Sequence, residues 1–255
     1  LHLRIGRLLL ERTAPVDLPN RLFEIVAHLL KGVPQMAAVE EQQKLAQLCL
    51  EAGQRARGAA AFASAVRLFA DGIAVLGAGC FAVRPELAFA LHFGLAECAF
   101  LTGELDRAEA LLLDLLTRTR DELTVAEIYR VRVDLYITKG QMQRAAEVGL
   151  QGLRLFGVDL PAHPSREEVQ REYEEVRRNL GLRSIDSLID LPFASEPRIQ
   201  AAMRILSVFW AAAVFTDANL SDLHLGRMVN LSLVHGNTDS AVMGYAWWGV
   251  TLIST

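Results

Sequence analysis

Residues 72–83, GIAVLGAGCFAV, have the spacing of a dinucleotide-binding turn. Gly77, Gly79 and Ala82 fit G-x-G-x-x-G/A, in which glycines let the backbone approach a pyrophosphate at a helix N-terminus. That chemistry needs a strand before the first glycine and a helix opening at the motif. The residues before Gly77 instead continue an amphipathic helical pattern, and Pro85 opens the next helix too late. We therefore interpret these glycines as a helix end and expect no bound cofactor.

The other reactive side chains lack catalytic or metal-binding spacing. The sequence contains no phosphate loop, kinase catalytic loop or nucleophile elbow, and its six histidines have no metal-ligand spacing. Cys49, Cys80 and Cys98 occur singly in apolar surroundings, which favours buried thiols over disulfides or zinc. Asp186 and Asp190 could share a helix face, but they flank a linker and fit turn or cap positions. We expect no catalytic residue and no metal site in this segment.

Composition excludes several classes of partner. The chain has 255 residues, 52% hydrophobic and 22% charged, with a net charge of −4 and no basic run, so nucleic acid is not an expected partner. The apolar runs 72–83 and 205–216 are too short to span a bilayer. The uncharged tail 240–255 is a weak membrane candidate, but its Ser, Thr and Gly content favours a packed helix. Two arginines interrupt the first ten residues, so we expect no secretory signal. We predict a cytoplasmic protein without a membrane partner.

Helical periodicity covers nearly the whole sequence, with apolar residues at i, i+3, i+4 and i+7. The pattern predicts helices at 3–11, 21–31, 41–52, 56–76, 85–101, 105–119, 124–138, 142–156, 197–216, 220–235 and from 240 onward. The three tryptophans, Trp210, Trp247 and Trp248, lie in apolar runs and are interpreted as core residues. The predicted fold class is all-α.

A longer repeat is also visible in the sequence. In each copy an alanine lies five residues after a turn residue, and four residues beyond the alanine comes the position whose side chain is expected to fill the gap between neighbouring hairpins. The pairs are Ala60–Ala65, Gly103–Ala108, Gly140–Ala145 and Gly236–Ala241, and the later positions are Phe69, Leu112, Gly149 and Tyr245. Glycine tolerates the positive φ of a tight turn, and alanine lets two helices approach closely. The pattern predicts antiparallel helix hairpins stacked into a tetratricopeptide-like superhelix, or α-solenoid. Uneven spacing indicates that the repeats are degenerate.

The repeat pattern breaks between residues 157 and 199. Prolines are followed by a capping box, Ser165 with Glu168, which opens a helix whose alternating Arg and Glu residues predict a solvated face. The predicted division is a first lobe of helical repeats at 1–157, a charged helix and linker at 158–199, and a second lobe at 200–255. The apolar helical pattern still runs at the last residue, so we expect the second lobe to be truncated.

In a stacked superhelix, the first helix of each hairpin lines the concave face. The repeat positions place these residues of a candidate partner-binding groove there: Phe93, Glu97, Phe100, Glu127, Arg130 and Asp134. The mixed acidic and aromatic character suits a peptide or a partner helix. The same residues also fit an ordinary solvated surface, and the sequence leaves both interpretations open.

An ordered series of motifs resembles one group of proteins. The stretches are HLRIGRLLLE, LFEIVAHLLKG, AFASAVRLFADGIAVLG, LAECAFLTGELDRAEALLLDLL, GLQGLRLFGVDLP and MVNLSLVHGN. They resemble the helical-repeat region of large bacterial and fungal signalling proteins. In that group the region follows a STAND-type, AAA-like ATPase module, often behind a serine/threonine-kinase-like domain, and precedes a GAF domain and commonly a sensor histidine kinase.

The resemblance implies a cytoplasmic scaffold and sensor segment without catalytic residues of its own. ATPase and protein kinase or histidine kinase activity would then belong to other domains of the parent protein. The segment would mediate protein–protein or interdomain contacts. The alternative is a superhelix that binds a small-molecule inducer and transmits its occupancy to the ATPase. A self-contained helical enzyme is disfavoured by the missing acid–base or metal cluster.

Overall fold

The computed structural model describes the backbone of residues 1–254 and the side chains of residues 1–252. Within that range the protein is all-α, as predicted, with a single isolated parallel bridge between Phe193 and Asn237. The helices are α1 (His2–Arg12), α2 (Leu18–Lys31), α3 (Val39–Gly58), α4 (Phe62–Leu76), α5 (Cys80–Val83), α6 (Pro85–Leu101), α7 (Leu105–Arg118), α8 (Glu122–Thr138), α9 (Met142–Arg154), α10 (Arg166–Leu180), α11 (Pro197–Thr216), α12 (Ala218–His235) and α13 (Ala241–Ser254). Short 3-10 helices occupy Val33–Gln35 and Ile185–Asp190.

The predicted helix at 56–76 is wrong, because the chain turns within it. Helix α3 ends at Gly58 and α4 begins at Phe62. Between them Ala60 has a φ of 56°, and it is the one non-glycine residue with positive φ in the described chain. Alanine rarely adopts this conformation, so the 3.6-residue period gave no sign of the break, although the larger repeat pattern placed Ala60 at a turn position.

The chain divides into two compact units, Leu1–Thr117 and Arg118–Thr255. In the first unit α1 packs on α2, α3 on α4, and α4 on α6. In the second, α8, α9 and α11 pack on one another, and α12 contacts α10, α11 and α13. The boundary between the two sets of helix contacts thus lies between residues 117 and 118. The division predicted from the sequence instead relied on a spacer at 158–199.

Three turns between consecutive helices share one hydrogen-bond pattern. Each has a positive-φ residue, Ala60 (56°), Gly103 (84°) or Gly140 (71°). The next backbone N–H donates to the carbonyl five residues earlier, at 2.8 Å: Ala61 to Ala56, Glu104 to Ala99, and Gln141 to Tyr136. This is the Schellman pattern, which satisfies carbonyls at a helix end. The alanines five residues after the turn, Ala65, Ala108 and Ala145, are fully buried.

Aromatic rings fill slots that glycines leave open. A Cβ built on Gly53 of α3 would lie 2.5 Å from the Phe69 ring, and one on Gly94 of α6 would lie 2.7 Å from it. Phe69 of α4 is fully buried there, as its gap-filling position predicts. At the equivalent position of α9, Gly149 leaves the space, and the Phe209 ring of α11 occupies it. In the first unit the second helix of the hairpin supplies the ring, Phe69, and in the second unit it supplies the glycine, Gly149.

The fourth predicted pair, Gly236 and Ala241, has a different turn. Gly236 has a φ of 101°, but the N–H of Asn237 donates to the Pro192 carbonyl at 2.8 Å. The N–H of Ala194 then donates to the Asn237 carbonyl at 2.7 Å. A Cβ on Gly236 would overlap the Pro192 carbonyl oxygen. This turn therefore pairs with a distant segment rather than closing a simple hairpin.

The predicted solvated face of α10 is wrong at Glu172, which is only 4% exposed. Its carboxylate accepts two hydrogen bonds from Arg227 of α12, at 2.9 and 2.8 Å, and one from Asn230 at 2.7 Å. A buried charge needs such partners because desolvation is costly. The predicted capping box of Ser165 and Glu168 is confirmed at the start of the same helix.

Helix α11 has the bounds predicted from the sequence, 197–216, and extends beyond the apolar run 205–216 at its N-terminal end. It has 20 residues and is long and apolar enough, by length and composition alone, to cross a membrane. Core helices share that property, and here Ile205, Leu206 and Phe209 are fully buried in contact with other helices. Its first turns carry Arg198 and Arg204, both of which form ion pairs with α8.

Candidate functional site

The dinucleotide-like glycines lie between two helices. Helix α4 runs up to Leu76, as predicted, and Gly77 follows with a φ of 75°. Gly79 precedes α5, which has only four residues. The strand-to-helix geometry that carries a pyrophosphate is thus missing at this motif.

The cysteines have the properties of core residues. All three are buried and unpaired. Burial raises the pKa of Cys49 to about 12 and that of Cys98 to about 11. Both thiols are therefore protonated near neutral pH, unlike a nucleophile or a metal ligand. Among the described residues no group of three or more His, Cys, Asp or Glu side chains could hold a metal ion.

The predicted partner-binding residues of the first unit lie on α6. Phe93 stacks on Phe89 with 5.9 Å between ring centroids, and Phe100 is half-buried. Glu97 forms an ion pair with Arg57 of α3. The carboxylate is thus already engaged within its own unit.

The predicted residues of the second unit form an ion network on α8. Glu127 accepts hydrogen bonds from Arg130 at 2.8 Å and from Arg204 of α11 at 2.7 Å. Asp134 lies 3.6 Å from Arg130. Burial raises the pKa of the Asp134 carboxyl, and Arg130 opposes that shift. These side chains connect α8 to α11, and their role in partner binding stays a prediction.

A further concave feature of the second unit was not predicted. It is a groove of about 770 Å³ between α10, the 3-10 helix Ile185–Asp190, the end of α12, and α13. We call it the α10–α13 groove. Its lining includes Tyr173, Val176, Arg177 and Leu180 of α10, Ile185, Asp186, Leu188 and Ile189, Val229 and Leu233 of α12, Asn237 and Thr238, and Ala241, Val242, Tyr245, Ala246, Trp248, Gly249 and Leu252 of α13.

The floor of the α10–α13 groove belongs to a hydrophobic cluster. Val176, Val229, Leu233 and Trp248 are buried within it. The Trp248 ring meets the edge of Tyr173 at 4.3 Å between centroids. The floor is therefore apolar and well packed, which suits a hydrophobic ligand.

The rim exposes large apolar side chains. Ile185 is 77% exposed, Ile189 84% and Val242 72%. Contiguous exposed apolar surface of this kind marks binding sites more often than scattered single residues do. Arg177 and Asp186 also border the groove, and neither forms an ion pair with another described residue.

One end of the groove is polar, at the turn between α12 and α13. The Tyr245 hydroxyl donates to the Asn237 side-chain oxygen at 3.0 Å, and the Asn237 amide donates to the Leu188 carbonyl at 2.8 Å. The Thr238 hydroxyl is different: the residue is 8% exposed, and its Oγ1 has no hydrogen-bond partner among the described residues. Burial raises the pKa of Tyr245, so its phenol stays neutral near neutral pH.

Sequence reasoning missed the groove because its walls come from four separated segments. The stretch around Asp186 and Asp190 was interpreted as linker turns, and both residues do lie in a 3-10 helix. Trp248 is core, as predicted, but Trp247 is 41% exposed and stacks on Trp210 at 4.6 Å. The available signal was the density of isoleucine and leucine in RSIDSLIDLPF.

Comparisons with known proteins add no relative to this description: no family model, curated protein or solved structure matches the chain.

Proposed function

We propose that this chain is a non-catalytic helical-repeat scaffold that mediates protein–protein or interdomain contacts. The observation that carries the proposal is the recurrence of one hairpin turn at Ala60, Gly103 and Gly140, each followed by a fully buried alanine. Repeated hairpins with small residues at the crossings are the building unit of tetratricopeptide-like solenoids. We therefore infer a tetratricopeptide-like stacking of these hairpins.

The proposed setting is a cytoplasmic signal-transduction protein of the STAND ATPase and kinase type. Its support is the ordered series of sequence motifs given above. In this proposal ATP binding and phosphotransfer belong to other domains, and the helical segment uses no cofactor. The candidate contact residues remain those on α6 and α8, which carry half-buried aromatic and charged groups.

Cross-linking mass spectrometry on the full signalling protein or complex tests the proposal. Cross-links from α6 or α8 to an ATPase or kinase domain are expected. Cross-links confined to the helical segment would contradict an interdomain role. Measurable turnover of ATP by the segment alone would contradict the assignment as non-catalytic.

The α10–α13 groove favours a second candidate, a sensor that binds a small molecule. Ligand sites typically measure about 300–1,000 Å³ and combine apolar walls with a few polar groups, and this groove meets both criteria. Occupancy would be transmitted through α12, which contacts α10, α11 and α13.

A thermal-shift screen of metabolites against the isolated chain separates the two candidates. A ligand that binds only the folded state raises the midpoint in proportion to its concentration over its Kd. Saturable stabilisation by one compound class would favour the sensor. No shift from any class would leave the scaffold as the supported function.

A further inference from the structure

We propose that the α10–α13 groove binds an elongated apolar compound that carries a carbonyl-type oxygen, with Thr238 as the residue that recognises that oxygen. The inference deepens the sensor candidate above and rests on it. It names the ligand class, an acyl carboxylate or acyl amide, and the end of the groove at which the polar group lies.

The apolar lining of the α10–α13 groove indicates that most of the ligand is apolar. Val176, Val229, Leu233 and Trp248 form a buried floor, and Ile185 and Ile189 stand at the rim with most of their surface exposed. Covering these rim side chains removes apolar surface from water, which is favourable. A polar or compact ligand would leave that surface exposed.

The position of the polar group follows from Thr238. Its hydroxyl is buried without a partner, whereas its neighbours Asn237 and Tyr245 already bond to each other. An unpartnered buried hydroxyl is unfavourable, and a ligand oxygen that accepts a hydrogen bond from it would relieve that penalty.

Helix α13 adds a second attraction at the same end. Thr238 lies three residues before Ala241, where this 14-residue helix begins. The positive end of the helix dipole therefore lies beside Thr238 and favours an oxygen with partial or full negative charge. The same positive end of the helix dipole disfavours a cationic head group at this position.

The test titrates the protein with three probes that each have a straight ten-carbon chain, and measures binding by calorimetry and tryptophan fluorescence. In decanoate and decanamide the first carbon of that chain carries a carbonyl-type oxygen, whereas the head group of decyltrimethylammonium has no acceptor. We expect decanoate or decanamide to bind at least tenfold more tightly than the cation. Binding of decanoate alone identifies a carboxylate, and binding of both identifies the carbonyl as the recognised group.

Three groove variants locate the bound probe. Thr238→Val keeps the shape and removes the hydroxyl, so decanoate or decanamide affinity should fall about tenfold, the loss of one hydrogen bond. Thr238→Ser keeps the hydroxyl and should stay close to the parent. Gly249→Phe adds a ring where a Cβ meets no atom within 4 Å, which should abolish binding by filling the groove.

Gly58→Phe is the matched control for the filled groove, because Gly58 also has open space around its Cβ but lies on α3 of the other unit. It should bind like the parent. The head-group inference would be overturned if all three probes bound equally, Gly249→Phe blocked their binding and Thr238→Val did not change it. That result would still support a sensor for apolar compounds. No binding of any probe would overturn both.

Discussion

The buried hydroxyl of Thr238 is a measurable stability defect of the free protein. Its Oγ1 has no hydrogen-bond partner among the described residues. Replacing it with the isosteric valine removes an unsatisfied polar atom without opening a cavity. We expect Thr238→Val to raise the free energy of unfolding by about 1 kcal/mol in urea denaturation.

Thr238→Ser is the control for that measurement, since it retains the hydroxyl and removes only a methyl group. It should be no more stable than the parent. A loss of stability in Thr238→Val would show that the hydroxyl is satisfied in solution, and it would remove the reason for assigning it to a ligand.

His224 makes stability depend on pH. It is fully buried, and its Nε2–H donates to the Leu206 carbonyl at 2.8 Å. Burial lowers the pKa of the folded-state imidazole from 6.5 to about 4. Between these values the unfolded chain binds the proton and the folded chain does not, so the free energy of unfolding should fall as pH decreases from about 6.5 to about 4.

The size of the His224 contribution is about 3 kcal/mol, at 1.36 kcal/mol for each pKa unit. Urea denaturation at a series of pH values measures it. His224→Gln offers a donor for the same carbonyl and does not titrate, so its stability curve should be flatter over this interval. Parallel curves for parent and variant would mean that His224 titrates normally in the folded protein.

At the scale of the element, Phe69 determines how α3, α4 and α6 approach one another. Its ring occupies the space above Gly53 and Gly94, and neither glycine has room for a Cβ. Phe69→Ala should cost about 3–5 kcal/mol, because it opens a cavity at a helix crossing. Denaturant titration measures the loss.

The glycine partner provides a compensation test. Gly94→Ala alone should destabilise the fold because its Cβ meets the Phe69 ring. In Phe69→Leu the ring is gone, so adding Gly94→Ala should cost less than it does in the parent. Strictly additive changes in the free energy of unfolding in this double-mutant cycle would contradict the interpretation that the Phe69 ring occupies the space next to Gly94.

The helix elements themselves were largely predictable from the sequence. The 3.6-residue period marked α6, α8 and α9 within a few residues, and the capping box marked the start of α10. The period failed at Ala60, because an alanine replaces the expected turn glycine. It also failed at Glu172, since periodicity cannot tell which charged residue meets a buried partner.

At the scale of the molecule, the chain contains two compact units joined at residues 117 and 118. Each falls in the size range of a domain with its own core. We expect fragments 1–117 and 118–255 to fold separately. Far-UV circular dichroism of the two fragments should sum to that of the whole chain, and each should unfold cooperatively in urea.

The alternative boundary supplies the control for the fragments. Cutting at 157 would separate α8 and α9 from α11, on which both pack. Fragment 158–255 should therefore lose helicity and cooperativity relative to 118–255. A well-folded 158–255 fragment would favour the lobes predicted from sequence over the contact-defined units.

The sequence by itself determined the all-α class, most helix positions and the turn glycines Gly103 and Gly140, because these depend on short-range periodicity and backbone conformation. Only the tertiary structure decided which charges are buried, where the α10–α13 groove lies and which hydroxyls, those of Tyr173 and Thr238, are buried without a hydrogen-bond partner in the described part of the chain. Those properties arise from side chains far apart in the chain, such as Tyr173, Thr238 and Trp248, and no local pattern encodes their approach.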